Sequence, residues 1–288
     1  MKEIRMAEVS DHLYRKAALA RIPLSGTFEL TPRCNLQCRM CFRNSWRDEA
    51  IGDMSMETFL RAMDTMPASV ETVFFGGMGE PLAHANILDM VREAKARGVR
   101  ITAETAPHYI GATDEWVAGY DSNCRVNPPL REEADRQACI AGLVDGTLDC
   151  IATDHAPHLL AEKQGGALKA TSGMPMIQFS LVSMLELVNQ GVFDIETVVE
   201  KMCHAPARLY GIEERGFLRE GYMADLVLVR PDASWLLTPD CIQSKCGWSP
   251  LQGYPFNWQV EKTFVNGRMV YNGAEVDESF RGQELRFS

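Results

Sequence analysis

The amino-acid sequence predicts an α/β fold with about four parallel strands and a small β module near the C-terminal end. Residues 86–98 place apolar side chains at helical spacing, Gly98 ends that helix, and residues 99–103 then alternate like a strand. Three further segments have strand patterning, at residues 27–31, 70–75 and 148–153. Asn266-Gly267, within residues 262–271, is typical of a hairpin with a type I′ turn.

The other helices are predicted from capping residues and apolar spacing. Ser55 is suited to cap a helix over residues 55–66, because a serine side chain accepts bonds from free backbone N–H groups. The Ala and Glu content of residues 132–144 predicts another helix. Further helices are predicted within residues 1–24, 175–190 and 195–210.

Composition restricts the kind of protein that this chain can be. With 288 residues, 46% of them hydrophobic, it has a globular composition and can bury a large core. Its net charge of −10 argues against general nucleic-acid binding, which needs a basic surface. No segment approaches the roughly 20 apolar residues of a membrane span, and the first residues lack the apolar core of a secretory signal. The nine cysteines are therefore expected to be thiols or metal ligands in a cytoplasmic protein.

Three cysteines lie within eight residues directly after the first predicted strand, at Cys34, Cys38 and Cys41. A loop of this kind can direct three thiolates at one centre. Structural zinc sites commonly take two separated pairs of ligands, and no fourth cysteine is near. Three thiolates are better suited to an iron–sulfur cluster with one iron left open for another ligand. A chance cluster of buried thiols is the alternative.

A glycine-rich turn follows the strand predicted at residues 70–75. Its residues are Gly76, Gly77, Gly79, Glu80 and Pro81. Glycines at the end of a strand allow the backbone to approach a ligand closely, and a glutamate can accept bonds from an ammonium group. Such a turn alone is a weak signal, because it also occurs as a plain connection, but it gains weight beside the cysteines.

These two motifs together resemble the first half of a radical S-adenosylmethionine enzyme, over about residues 24–98. The cysteines match that family's Cys-x3-Cys-x2-Cys loop, and the turn matches its Gly-Gly-Glu-Pro segment with Met78 as an extra residue. The resemblance implies a [4Fe–4S] cluster whose open iron binds S-adenosylmethionine. It also implies reductive cleavage to a 5′-deoxyadenosyl radical, an electron donor as partner and a small-molecule substrate.

Different chemistry follows the strand predicted at residues 148–153. Asp154, His155 and His158 come directly after it, and Asn127 lies in a proline-rich loop upstream. Barrel enzymes carry their catalytic groups at the C-terminal ends of strands. The set therefore predicts a catalytic or binding site, although any one of these histidines alone would be read as an ordinary loop residue.

Residues of about 99–288 resemble dihydroorotase, a cyclic amidohydrolase. The matching segments are residues 103–108, 127–131, 151–158 and 244–250. The resemblance implies that Asp154 is a zinc ligand and the general base, and that Asn127 and His158 contact the pyrimidine ring or its carboxylate. The family's His-x-His pair of zinc ligands is not found in the sequence, so the zinc site is expected to be incomplete.

We interpret the sequence as a chimera that forms a partial (βα) TIM-type barrel. The expected parts are a radical-enzyme-like half barrel at 1–98, the last dihydroorotase-like barrel units at 99–212 and a β-sandwich remnant at 213–288. Because so few strands cannot close a barrel, a homodimer is expected to complete the sheet. The main prediction is a module that binds the [4Fe–4S] cluster and S-adenosylmethionine. The alternatives are a dihydroorotase-type hydrolase and a recombined chain without activity.

Overall fold

The structure is a computed structural model. It describes residues 25–28, 30–31, 52–67, 70, 72–75, 84–99, 101–166 and 169–288. The chain divides into two compact units, Met1–Ile101 and Thr102–Ser288. Three of the sequence predictions lie outside the described residues: the helix within residues 1–24, the cysteine loop and the glycine-rich turn. The predicted division into three parts stays a prediction.

The first unit contains two parallel strands and two helices. They are β1 (Ser25–Phe28), α1 (Met56–Thr65), β2 (Thr72–Phe75) and α2 (Ile87–Ala96). Strands β1 and β2 pair in parallel, with Ser25 opposite Thr72. The rings of Phe28, Phe59 and Phe75 pack edge to face with centroids 5.4–6.0 Å apart, and this cluster joins α1 to the two strands.

Both helices of this unit form where capping and periodicity predict them. The Ser55 hydroxyl accepts from the Thr58 N–H at 3.1 Å, which satisfies one free donor at the start of α1. Helix α2 buries Met90, Val91 and Ala94, and Gly98 follows its end at a φ of 75°, where glycine has no steric penalty.

The strand predicted over residues 99–103 is wrong in position. After Gly98 the backbone bonds locally, because Val99 N–H donates to Ala94 C=O and Ile101 N–H donates to Val99 C=O. These groups cannot also join a strand ladder, so the pairing starts later, in β3 (Glu104–Thr105). The other three predicted strands are present, but β1 begins two residues before its predicted range, and β2 and β4 are shorter than theirs.

The second unit begins with β3, which pairs in parallel with β4 (Cys150–Ile151). Between them lie α3 (Pro107–Gly111), α4 (Glu115–Tyr120) and α5 (Glu133–Asp145), the last close to the predicted helix over 132–144. After β4 come α6 (Ser180–Asn189), α7 (Ile195–Val199), a π-helical turn (Glu200–His204) and α8 (Ala205–Leu209). The two helices predicted at 175–190 and 195–210 therefore exist, the second with a π turn inside it.

The remainder of this unit is a small β module. It contains β5 (Leu226–Arg230), β6 (Trp235–Leu236), β7 (Pro255–Phe256), β8 (Gln259–Val265) and β9 (Arg268–Tyr271). Strand β8 lies between β5 and β9 in an antiparallel sheet, and β6 pairs with β7. Asn266 and Gly267 join β8 to β9 with φ values of 51° and 80°, the two positive angles that a type I′ turn requires. The predicted hairpin is confirmed.

The main hydrophobic core of the second unit connects this module to the helices. Phe179 at the start of α6 and Val182 within it pack with Trp248 and Phe256, and all four are buried. The buried Glu186 carboxylate adds a polar connection, because it accepts bonds from the N–H groups of Asn257 and Trp258. Among the described residues, no helix is both long and apolar enough to cross a bilayer.

Candidate functional site

The parallel pair β3–β4 brings two polar side chains together. His108 lies three residues after the end of β3, and Asp154 lies three residues after the end of β4. The ladder extends past the strand ends, since Ala152 N–H donates to Thr105 C=O at 2.7 Å. Parallel neighbours present their C-terminal ends at the same edge of a sheet. The two loops therefore emerge side by side.

His108 and Asp154 form a close pair in which the imidazole is buried. Nε2 of His108 lies 3.4 Å from Oδ2 of Asp154; the histidine side chain has no exposed surface, whereas the aspartate side chain is 42% exposed. Among the described residues, neither ring nitrogen of His108 has a hydrogen-bond partner of good geometry. A buried polar atom without a partner is costly and needs an explanation, such as an ion or a ligand.

Asp154 adopts a backbone conformation that L residues rarely use, with a φ of 46°. Aspartate tolerates this left-handed region better than most residues, but the conformation still carries strain. The Tyr109 hydroxyl lies 3.3 Å from Oδ2 of Asp154 and donates to Pro128 C=O at 2.9 Å. Tyr109 therefore connects the loop after β4 to the proline-rich loop.

The Tyr109 contact places Asn127 next to this connection, because Asn127 directly precedes Pro128. The side-chain Oδ1 of Asn127 is buried and has no partner among the described residues. An amide oxygen held in this way can accept a bond from an N–H donor of a ligand. Three of the residues that the structure assembles, His108, Asp154 and Asn127, thus carry polar atoms at one end of the β3–β4 pair.

The two histidines after Asp154 differ in what they contact. Nδ1 of His155 accepts from the Ile177 N–H at 3.2 Å, so this ring braces a neighbouring loop. The His158 side chain is 33% exposed, and its Nδ1 lies 4.0 Å from Oε2 of Glu162. The partly exposed His158 ring therefore lies at the surface of the loop after β4, where a ligand can reach it.

A buried lysine lies beneath these loops. The Lys163 ammonium donates to the carbonyl oxygens of Arg125, Thr171 and Gly173 at 2.7–2.9 Å, which uses all three of its donors. Burial lowers the pKa of Lys163 to about 8. Burial also raises the pKa of the nearby Cys124 thiol to about 11, so this thiol stays protonated at neutral pH.

Sequence reasoning singled out Asp154, Asn127 and His158 but gave no role to His108, Tyr109 or Lys163. For His108 a signal existed in segment 103–108, which resembles dihydroorotase, but the predicted strands end at residues 103 and 153 and do not show that His108 and Asp154 follow their strands at the same offset. Tyr109 and Lys163 had no such signal, since their contacts join segments that are far apart along the chain.

The donors of the His108–Asp154 pair suit zinc, which binds imidazole nitrogen and carboxylate oxygen. Two donors are fewer than the three protein ligands of a typical catalytic zinc site. Within the described ranges, no group of three or more His, Cys, Asp or Glu side chains could hold a metal ion. The pair therefore fits zinc as part of a site, with further donors needed from elsewhere.

A parallel β pair that presents a histidine and an aspartate at its C-terminal end is typical of metal-dependent barrel hydrolases. Residues 44–270 match the amidohydrolase family. This chain belongs to the amidohydrolase family.

Within that family the chain is similar to dihydroorotases. It is 38% identical to the dihydroorotase of Trichlorobacter lovleyi over 226 residues, which are 77% of this chain and 53% of that protein. It is 44% identical to the dihydroorotase of Geotalea daltonii over 182 residues, which are 63% of this chain and 43% of that protein. The chain thus spans about half the length of these curated relatives.

Solved structures of hydantoinases share the fold. The L-hydantoinase (dihydropyrimidinase) of Arthrobacter aurescens has a TM-score of 0.66 and 26% identity, and the match covers 76% of this chain and 48% of that one. A D-hydantoinase from Thermus sp. has a TM-score of 0.64 and 20% identity, and the match covers 94% of this chain and 56% of that one. These neighbours have α/β folds of the TIM-barrel type.

The predicted resemblance to dihydroorotase and the α/β barrel-type class are confirmed at that level. A barrel of four strands stays a prediction. The resemblance to radical enzymes over residues 24–98 gains no support, because the amidohydrolase match extends back to residue 44 and the relatives named above are dihydroorotases. A chimeric origin also stays a prediction.

Proposed function

We propose that this chain carries part of a dihydroorotase-type active site and hydrolyses a cyclic amide. The observation that carries the proposal is the His108–Asp154 pair, with a buried imidazole whose ring nitrogens lack hydrogen-bond partners. The similarity to dihydroorotases supports dihydroorotate as the substrate to test first. Hydrolysis, which the sequence alone ranks second, therefore takes first place, and binding of an iron–sulfur cluster becomes the second candidate.

In this proposal, the His108 imidazole and the Asp154 carboxylate would hold zinc together with further donors. Bound zinc would lower the pKa of a water molecule and polarise the amide carbonyl. The remaining chemistry belongs to side chains of the second unit.

Asp154 acts as the general base in the proposal. Its carboxylate accepts a proton from the attacking water and returns it to the ring nitrogen as the carbon–nitrogen bond of the cyclic amide breaks. The Tyr109 hydroxyl holds the carboxylate near its working position. Asn127 Oδ1 accepts a bond from a ring N–H, and the His158 imidazole, beside Glu162, binds the substrate carboxylate.

The test is zinc-dependent hydrolysis of dihydroorotate by the full chain, followed as loss of the ring absorbance. We expect activity in the wild type and a loss of at least about 100-fold in kcat for Asp154→Asn, since the amide cannot take up a proton. His155→Gln is the matched control, because its ring only braces a backbone N–H. A zinc-loaded wild type that leaves the ring intact would reject the proposal.

We also propose that a stable form of the protein is a homodimer that completes the sheet. Exposed apolar side chains support this, among them Phe74 of β2, which is 64% exposed, and Leu228 of β5, which is 48% exposed. Sedimentation velocity at several protein concentrations tests it. A single non-aggregating monomer would contradict it.

The second candidate is binding of a [4Fe–4S] cluster and S-adenosylmethionine, and the spacing of Cys34, Cys38 and Cys41 favours it. The amidohydrolase match begins at residue 44, after all three cysteines. The turn of Gly76, Gly77, Gly79, Glu80 and Pro81 would lie close to S-adenosylmethionine, the Glu80 carboxylate would accept bonds from its ammonium group, and an external electron donor would reduce the cluster.

Anaerobic reconstitution with iron and sulfide tests this candidate. The expected result is a brown protein with absorbance at about 400 nm that is lost in Cys38→Ala and kept in Cys203→Ala, because only the first removes a proposed ligand. An iron-free chain after reconstitution would exclude the cluster.

A further inference from the structure

We propose that Lys163 is a positioning residue, which sets the distance between the two substrate-contacting side chains Asn127 and His158. This inference rests on the proposed function, because it takes these two side chains as the contacts of the substrate. The lysine itself is fully buried, so it does not touch the substrate and acts through the backbone.

The first link joins Lys163 to the loop that carries Asn127. The Lys163 ammonium donates to the Arg125 carbonyl at 2.9 Å, two residues before Asn127. The same carbonyl accepts from the Gly173 N–H at 2.9 Å. In addition, the Ser122 hydroxyl donates to the Lys163 carbonyl at 2.5 Å, so the start of this loop is held at two points.

The second link joins Lys163 to the loop that carries His158. The ammonium donates to the Gly173 carbonyl at 2.8 Å. Gly173 packs directly on the loop after β4, since a Cβ atom built on it would lie 2.5 Å from Ala156 Cβ and 3.0 Å from His158 Cδ2. The backbone of Gly173 therefore supports the His158 ring from one side.

Trp248 completes the support. Its indole N–H donates to the His158 carbonyl at 2.8 Å, and its ring centroid lies 5.9 Å from the Lys163 ammonium. The ammonium thus lies where the Asn127 loop, the His158 loop and the segment from Thr171 to Gly173 meet. All three N–H donors of the charged ammonium are bonded, so Lys163 holds these segments in place more firmly than a neutral side chain could.

Lys163→Met tests the inference, and Lys201→Met is the matched control. Lys201 is also buried, but it donates to the Leu148 carbonyl, which precedes β4 and so lies at the other end of that strand from Asp154. The first readout needs no activity: the side-chain NMR signals of His158 and Asn127 in protein labelled with 15N-histidine and 15N-asparagine. Six histidines keep the spectrum simple, and His158→Gln assigns its signal.

We expect Lys163→Met to shift or broaden the His158 and Asn127 signals and to leave those of His84 and His204 unchanged. Lys201→Met should leave all four signals unchanged. Unchanged His158 and Asn127 signals in a folded Lys163→Met protein would overturn the inference. If that variant does not fold, Ser122→Ala takes its place, and it must move the same two signals.

The kinetic readout separates positioning from a general loss of structure. Lys163→Met should raise the KM for dihydroorotate about tenfold while kcat and the Kd for Zn²⁺ stay within about twofold, because substrate contacts move and the His108–Asp154 pair does not. Equal losses in kcat and Zn²⁺ affinity would contradict it. If the wild type binds zinc without hydrolysing dihydroorotate, the proposed function fails, and the NMR signals still decide the role of Lys163.

Discussion

His108 Nε2 lies 3.4 Å from Asp154 Oδ2, and this contact joins two loops that leave neighbouring parallel strands. The histidine is fully buried, and among the described residues its ring nitrogens have no hydrogen-bond partner. The protein therefore holds a polar ring in a place where it weakens the fold unless something binds to it. A bound ion or ligand would supply the missing partner.

His108→Leu should separate stability from metal binding. Leucine has a similar volume and no polar atoms, so we expect the zinc-free protein to gain about 1–2 kcal/mol in its free energy of unfolding. The same change should weaken Zn²⁺ binding at least about tenfold. Urea unfolding with excess chelator and zinc titration measure the two effects. A variant that loses stability and keeps its affinity for zinc would show that the ring serves the core.

Gly173→Ala should destabilise the protein much more than Gly146→Ala. Both glycines have positive φ angles, 131° and 83°, but only at Gly173 would the new methyl group meet other atoms, with Ala156 Cβ at 2.5 Å. Gly146→Ala is expected to cost about 1 kcal/mol and Gly173→Ala about 3 kcal/mol or more. Urea unfolding compares the two variants. Equal losses in the free energy of unfolding would mean that the loop after β4 moves to accommodate the methyl group without strain.

Glu186→Gln should loosen the β module. The buried carboxylate accepts from Asn257 N–H at 2.5 Å, from Asn257 Nδ2 at 3.1 Å and from Trp258 N–H at 3.2 Å. A glutamine turns one acceptor into a donor that faces these N–H groups, and we expect a loss of about 2 kcal/mol. The exposed Glu196→Gln is the control, at no more than about 0.5 kcal/mol. Thermal unfolding of both variants checks the difference.

The buried Lys163 should make stability rise with pH in the alkaline range. Burial lowers its pKa from the ordinary 10.5 to about 8. Between these values the unfolded chain holds a proton that the folded chain has released, so the free energy of unfolding increases with pH, by up to about 3 kcal/mol. This gain is lost progressively as the pH falls from 10.5 to about 8, and it is absent below 8.

The difference between wild type and Lys163→Met in urea unfolding from pH 7 to pH 10 isolates this effect. The comparison is needed because burial raises the pKa of Cys124 to about 11, and that shift acts in the opposite direction above pH 9. A difference that does not change with pH would show that Lys163 keeps its ordinary pKa.

Local chemistry allowed much of the fold to be predicted. The Ser55 cap, the end of a helix at Gly98 and the Asn266-Gly267 hairpin each depend on a few adjacent residues, and all three are present. The strand predicted at 99–103 is misplaced, because the Ile101 N–H bonds to the Val99 carbonyl and so cannot pair with another strand. The alternation of side chains does not reveal this backbone bond. Propensity cannot detect such a competition.

Candidate site residues could be proposed where they lie in loops with a recognisable sequence, and could not be proposed where they meet only by tertiary contact. Asp154 and Asn127 could be named from their loops. The contacts of His108 with Asp154 and of Lys163 with the Arg125 and Gly173 carbonyls depend on how β3, β4 and the later loops assemble. The comparisons support the hydrolase better than the cluster-binding function, which the sequence ranks first because its three cysteines are adjacent, whereas the segments that match dihydroorotase are spread along the chain.

The Tyr109 hydroxyl, which donates to Pro128 C=O and lies near Asp154, also limits how this scaffold can be re-engineered. The loop that carries Asp154 would lose its orientation when grafted onto a different protein unless Tyr109 and the proline-rich loop were transferred with it. The unit that must be transferred together consists of three discontinuous segments, which contain Tyr109, Pro128 and Asp154. In a library of variants that changes only one of these segments, most members would hold the aspartate in the wrong orientation.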